Sequence, residues 1–310
     1  MSTVDEDYEV SICANCGKVE EESNKLKACT ACKMVKYCNR ECQIAHRPQH
    51  KKECKRRAAE LHDEELFKQP PPREDCPICF IRLPLVTTGY RYRSCCGKVI
   101  CSGCCYAPIY DDQGNIVAGK KCPFCRMPPP KSEKENINKR LEAGDPLAIY
   151  NLGNWYRGGM HGFPQDMNKA MELWQRAGEL GYPVAYCNIG YAYKMGQGSI
   201  EVDERKARHY YELGAIKGDM LTRHNLGCME RDDEGNMDRA VKHYMIAVKG
   251  GHTESLHKIK EMYSNGNATK EEYTKALRAY QTYLAEIKSV QRDEAAAFDD
   301  QYRYYESGLY

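Results

Sequence analysis

The run Cys29-Thr30-Ala31-Cys32-Lys33-Met34-Val35-Lys36-Tyr37-Cys38-Asn39-Arg40-Glu41-Cys42 packs four thiols into one short stretch. Cys13-Ala14-Asn15-Cys16 stands before it and His50-Lys51-Lys52-Glu53-Cys54 after it, so residues 13–54 offer eight donor side chains. A two-residue gap folds into a tight knuckle that aims both sulfurs at one ion, and a three-residue gap sets donors at i and i+4 on one face of a helix. On a continuous helix Cys42 and Cys54 would stand about 18 Å apart, too far to share one ion, so two ions are expected. A stretch this short seldom holds a fold with an apolar core alone and needs metal or disulfides.

Cysteine usage along the chain extends that reading. Sixteen of the eighteen cysteines precede residue 126, and only Cys187 and Cys228 follow. The start, Met1-Ser2-Thr3-Val4-Asp5-Glu6-Asp7, has neither the basic opening nor the apolar run of a secretion signal, so a cytoplasmic or nuclear location is expected, where serial Cys pairs read as metal sites. No run approaches the ~18 apolar residues of a membrane span. The formal charge is +2 with neutral thiols; four zinc ions held by fifteen thiolates and one imidazole would bring it to about −5, which gives nucleic acid no support as a partner. Residues 33–57 do carry nine Lys or Arg against two Glu, and cations that offset thiolate-rich centres account for them.

The string Tyr37-Cys38-Asn39-Arg40-Glu41-Cys42-Gln43, followed by His50-Lys51-x2-Cys54, resembles the second half of a MYND zinc finger, and all eight donor positions match. The resemblance implies interleaved sites: Cys13, Cys16, Cys38 and Cys42 on one zinc, and Cys29, Cys32, His50 and Cys54 on the other. His46 lies on the same i, i+4 stripe as an alternative to His50. Where such fingers commonly carry a tryptophan this chain has Arg47, so the proline-peptide binding of that family does not carry over.

Beyond a short helical candidate near Ala58 to Phe67, Pro70-Pro71-Pro72 opens a second module: Cys76-Pro77-Ile78-Cys79, Cys95-Cys96-Gly97-Lys98-Val99-Ile100-Cys101-Ser102-Gly103-Cys104, and Cys122-Pro123-Phe124-Cys125-Arg126. It resembles a RING finger. That implies one zinc on Cys76, Cys79, Cys101 and Cys104 and a second on Cys96, Cys122, Cys125 and one more donor. Lys98 replaces the usual histidine and is a poor ligand; Cys95 is expected in its place, with Cys105 as the competitor. In RING-type ubiquitin ligases the conjugating enzyme docks on residues matching Ile78, Pro123 and Arg126. The tryptophan of many active RINGs is replaced by Tyr106-Ala107-Pro108-Ile109.

After Pro128-Pro129-Pro130, Ser132-x2-Glu135 can cap a helix, and from Gly144 the chain repeats itself. Asn151-Leu152-Gly153, Asn188-Ile189-Gly190 and Asn225-Leu226-Gly227 recur every 37 residues, with a weaker fourth copy at Lys258-Ile259-Lys260. Lys169-Ala170, Lys206-Ala207, Arg239-Ala240 and Lys275-Ala276 follow, each with an aromatic four residues after the alanine: Trp174, Tyr211, Tyr244 and Tyr280. Each copy reads as two antiparallel helices, the glycines and alanines admitting close approach and the aromatics filling the interior. Asp145-Pro146 reads as a cap and first helical residue. The pattern resembles Sel1-like repeats, relatives of the tetratricopeptide repeat, which stack into a solenoid that binds proteins. Cys187 and Cys228 are expected as small buried hydrophobes, and Thr269-x2-Glu272 begins a last helix expected to continue past Val290.

The expected fold class is two small zinc-stabilised α+β modules followed by an all-α solenoid. The expected divisions are a MYND-type finger at 13–54, helix and proline linker at 55–75, a RING-like finger at 76–126, a linker at 127–140, helical repeats at 141–290 and a tail at 291–310. There is no phosphate loop, nucleophile elbow or His-Glu-x-x-His motif. The expected function is a zinc-binding adaptor for protein–protein interaction; the alternative is a ubiquitin ligase acting through a docked conjugating enzyme, and nucleic-acid association is a minor third. On this reading, stripping zinc unfolds residues 13–125 and spares the repeats.

Overall fold

The computed structural model describes residues 11–22, 25–71, 73–85, 87–108, 113, 121–129 and 133–305. The chain divides after Lys68 into two compact units.

In the first unit, β1 (Lys27–Ala28) pairs antiparallel with β2 (Lys36–Tyr37), Lys27 opposite Tyr37 and Ala28 opposite Lys36. Helix α1 runs without a break from Arg40 to Leu66, through Pro48. The helical candidate near Ala58 to Phe67, the helix expected within 55–75, is therefore the end of this same helix. Asn39 starts it by accepting the Cys42 N–H at 2.8 Å. Along its exposed side Arg56 pairs with Glu53 and Glu60, and Arg57 with Glu60 and Glu64, which offsets part of the basic stretch. The small core is Cys13, Leu26, Cys29, Cys32 and Tyr37.

The second unit starts with a hairpin, β3 (Tyr90–Arg93) against β4 (Lys98–Cys101), and a short helix α2 (Ser102–Tyr106). Helix α3 (Glu133–Glu142) occupies ground expected as linker; the cap expected at Ser132 lies outside the described residues. The solenoid follows as α4 (Pro146–Gly158) with α5 (Met167–Glu179), α6 (Val184–Met195) with α7 (Glu204–Ile216), α8 (Met220–Asp232) with α9 (Met237–Lys249), and α10 (Thr253–Ser264) with α11 (Lys270–Ile287). Asp145 caps α4, its Oδ1 accepting the Leu147 and Ala148 N–H at 3.0 and 3.2 Å, with Pro146 as first helical residue.

The repeat signature is a packing rule. Trp174, Tyr211, Tyr244 and Tyr280 are buried. A Cβ at Gly153 would lie 2.7 Å from the Trp174 ring, one at Gly190 2.5 Å from Tyr211 and one at Gly227 2.5 Å from Tyr244. Glycine is present in one helix because the aromatic of the next rests on it.

The C-terminus departs from expectation. Thr269 and Glu272 form the reciprocal cap of α11, but α11 stops at Ile287, Lys288 is extended, and Ser289 caps a separate helix, α12 (Val290–Phe298). The break turns the chain onto the Cys-rich module. Gly103 of α2 packs on Gln291 and Arg292, and the Tyr106 ring meets Phe298 at 5.1 Å and Tyr302 at 5.8 Å. Arg292 is fully buried, bonded to the carbonyls of Ile81, Arg82 and Ile287. Thr88 Oγ1 donates to the Arg303 carbonyl at 2.5 Å, and Tyr304 is buried in the core of α9–α11. Over residues 291–305 the stretch expected as a tail is thus docked; 306–310 lie outside the described residues. At the other end of the solenoid, Arg140 donates to the carbonyls of Ser94 (3.1 Å) and Cys95 (2.9 Å), and Tyr92 OH to Asp145 at 2.8 Å.

Candidate metal centres

The eighteen cysteines form no disulfide. Sixteen donors gather instead into four groups, each with its ligand atoms within 4.8 Å of one another: Cys13, Cys16, Cys38 and Cys42; Cys29, Cys32, His50 and Cys54; Cys76, Cys79, Cys101 and Cys104; Cys95, Cys96, Cys122 and Cys125. The interleaving in each module is the one the two resemblances imply.

Local backbone explains how the knuckles form. After four of the five Cys-x-x-Cys pairs, all but Cys101–Cys104 at the start of α2, the next residue is left-handed: Gly17 at φ +72°, Lys33 at +57°, Phe80 at +57° and Arg126 at +62°. Each returns its N–H to the carbonyl of the first cysteine, at 2.9 Å in all four cases. That turn exposes both sulfurs on one side. Cys38 and Cys42 differ from expectation: Cys38 precedes the cap Asn39, so that three-residue gap is a helix entry, whereas His50 and Cys54 do share a face of α1. In α2, Cys101 is itself the cap, its Sγ accepting the Cys104 N–H at 3.4 Å, while Cys76 Sγ accepts the Cys101 N–H at 3.5 Å.

The separations suit a tetrahedral ion. Zinc–sulfur bonds of about 2.3 Å require sulfurs about 3.8 Å apart. Cys16–Cys38, Cys29–Cys54 and Cys79–Cys101 are at 3.7 Å, Cys38–Cys42 and Cys95–Cys125 at 3.5 Å, and Cys96–Cys122 at 3.9 Å, with Cys32 Sγ 3.2 Å from His50 Nε2. Without a cation the thiols compete. Burial and the neighbouring Cys29 push Cys54 up to about 12, whereas Cys29, although burial opposes it, is held down to about 6 by the Cys32 N–H and His50. A divalent cation lets the three thiols deprotonate together beside a neutral His50. The donor sets fit zinc, and each supplies four protein atoms.

The open choices resolve by position. Cys95 sits in the fourth group, while Cys105 Sγ turns to the Ile100 carbonyl at 3.8 Å. His46 takes the Tyr37 hydroxyl at 3.1 Å and stacks on His50 with ring centres 5.6 Å apart, so it buttresses the ligand. Ile78 and Pro123 are half-buried and Arg126 is exposed, on the knuckles of the third and fourth groups. Arg292, which sequence reading passed over, lies behind Cys79 with Nη2 4.0 Å from its sulfur.

Cys187 is buried as expected, but Cys228 is half-buried and has partners. The Tyr244 hydroxyl donates to it at 3.4 Å and His224 Nε2 stands 3.5 Å away. His224-x3-Cys228 repeats the spacing of His50-x3-Cys54, a signal present in the sequence, but His224 and His252 both turn Nδ1 to Ser255 Oγ at 3.0 Å. Among the described residues no third donor joins them. No helix of the described residues is long and apolar enough to cross a membrane.

The MYND finger family matches residues 13–54, and the Sel1 repeat family matches 146–182 and 183–219. The third and fourth Cys groups fall outside both stretches. No curated protein matches this chain. Among solved structures, a Sel1 repeat protein from Oxalobacter formigenes is similar at 27% identity and a TM-score of 0.44, over 49% of this chain and 63% of that one. The antigen c5321, from uropathogenic Escherichia coli and displaying an SLR fold, is similar at 25% identity and a TM-score of 0.41, over 53% of this chain and 35% of that one. This chain thus spans less than two thirds of either. With the metal sites and helix pairs on the same chain, it consists of zinc-binding Cys/His clusters, a MYND finger among them, followed by a helical Sel1 solenoid.

Proposed function

We propose that the chain is an adaptor whose MYND finger and solenoid hold different protein partners. The observation that carries this reading is that each metal group already supplies four protein donors. A closed tetrahedral site has no position for a substrate or reactive water, so the ions shape surfaces and the surfaces bind. The solenoid offers one along the first helices of its repeats. There Asn188 Nδ2 donates to Asn154 at 3.1 Å and Asn225 Nδ2 to Cys187 at 3.6 Å, beside the exposed Tyr191. Proximity labelling with the wild type, Cys38→Ser and Tyr191→Ala tests this. Two separable partner sets support the adaptor, one lost with each variant; identical sets in all three overturn it.

The RING-like placement supports a second reading, ubiquitin transfer through a docked conjugating enzyme. Arg126 is exposed and Ile78 half-buried, and Phe80, Phe124 and Met127 beside them are exposed. Against it, α2 is packed under α12, with Tyr106 engaged by Phe298 and Tyr302. Chain formation with a panel of conjugating enzymes, lost in Ile78→Ala and Arg126→Ala, would favour transfer; wild-type inactivity across the panel removes it.

A further inference from the structure

A cavity of about 230 Å³ lies in the second unit where Gln69, Pro70, Pro71 and Arg73 meet α8, α9 and α11. Its polar side chains are almost all donors. Arg73 Nη1 is buried and has no hydrogen-bond partner among the described residues. Tyr283 accepts the Leu85 N–H at 2.8 Å, so its own proton is still available, and burial keeps the phenol protonated. Lys249 Nζ has one bond, 3.3 Å to Gln69 Oε1, which occupies the acceptor on that rim. Arg82 pairs through Nη1 with Glu286. The other nearby carboxylate, Asp219, is turned to the start of α8, where Oδ2 accepts the Thr222 N–H at 2.8 Å. Three cations thus stand against two carboxylates that are already engaged.

The rest of the lining is apolar. Met220 and Ile246 face the cavity beside Pro70 and Pro71, and that proline wall is pressed against the backbone at Gly218, where a Cβ would lie 3.3 Å from Pro70. Donors on one side and hydrocarbon on the other select an amphipathic anion: a forked guanidinium and a phenol grip an oxyanion, and methionine and isoleucine take an apolar group.

We propose that this cavity is a binding site for a small molecule bearing one oxyanion head, phosphate or carboxylate, on a short apolar body. The head meets Arg73, Tyr283 and Lys249, and the body covers Met220 and Ile246. The site shares no donor with the zinc centres and does not rest on the adaptor reading.

Titration calorimetry on the full zinc-loaded chain tests it, with phenyl phosphate, benzoate and inorganic phosphate as probes. Saturable one-site binding of phenyl phosphate or benzoate is expected, at least tenfold tighter than inorganic phosphate, and the tighter of the two names the head. Arg73→Gln should weaken it at least tenfold and Lys249→Gln, on the exposed rim, about threefold. Should Arg73→Gln fail to fold, Lys249→Gln decides. Absence of saturable binding to all three probes at about 10 mM, or unchanged affinity in the folded variants, overturns the proposal.

Discussion

Arg292, in the first turn of α12, donates Nη1 to the Arg82 carbonyl at 2.8 Å, across a sequence gap of more than two hundred residues. The same guanidinium reaches the Ile81 carbonyl at 3.1 Å and the Ile287 carbonyl at 2.7 Å. It therefore joins the knuckle of the third metal group to the end of α11, out of water.

Arg292→Ala should destabilise the second unit by about 3 kcal/mol, since charge-assisted bonds are lost and buried carbonyls are left unpaired. Arg292→Lys should recover less than half, because an ammonium lacks the planar fork. Calorimetric unfolding measures both; an alanine variant as stable as the wild type would show that the contact contributes nothing.

Zinc removal should not stop at residue 125. A structural site is worth on the order of 10 kcal/mol of apparent binding free energy, and α2, which carries Cys104, packs on α12. Chelation, or Cys101→Ser, should therefore raise hydrogen exchange in α12 and residues 299–305 as well as in 76–106. Full protection of α12 after chelation would restore the simpler expectation that the repeats are indifferent to metal.

Gly190→Ala raises helix propensity by about 1 kcal/mol, yet the new Cβ would lie 2.5 Å from the Tyr211 ring. Overpacking costs about 1–3 kcal/mol, so the clash should win and the midpoint of thermal unfolding should fall. The pair Gly190→Ala with Tyr211→Leu should lose less than the two single changes together.

Acid should weaken the solenoid through its neutral histidines. Burial holds His224 and His252 down to about 4 and His243 to about 3, from 6.5. The unfolded chain thus binds more protons than the folded one below pH 6.5, so stability is complete above that pH and declines as the pH falls toward 4. Comparing His243→Leu with the wild type between pH 7 and 5, at equal zinc loading, should show a shallower decline in the variant. Parallel curves would refute the assignment.

Much of this was readable from residue spacing, for a physical reason. Knuckles and 37-residue repeats are local devices: each Cys pair needs only a turn, and each Gly153–Trp174 type contact joins neighbouring helices. The extent of α1 was missed because the helical ligand gaps and the candidate near Ala58 to Phe67 stood as separate pieces, while Asn39 capping and ion pairs at Arg56 and Arg57 carry one helix through Pro48 to Leu66. What residues 290–305 dock against was not readable because it depends on single distant partners: Arg292 with Ile81, Thr88 with Arg303, and Arg91 with the Gln301 carbonyl at 2.7 Å. A buried arginine on a short helix looks like any surface arginine in a sequence. Cys95, the donor expected in place of the missing histidine, does stand in the fourth group, while Cys105 turns to the Ile100 carbonyl.

Repeat proteins ordinarily drift in length, because adding or dropping one copy disturbs only the copies beside it. Here Ser94 and Cys95 grip Arg140 before the first helix pair, while Ile81 and Arg82 grip Arg292 after the last. One Cys-rich module thus clasps both ends of the array. Duplication or excision of one 37-residue copy would move the far terminus out of its grasp, so the number of copies is fixed by the clasp and not by the copies themselves.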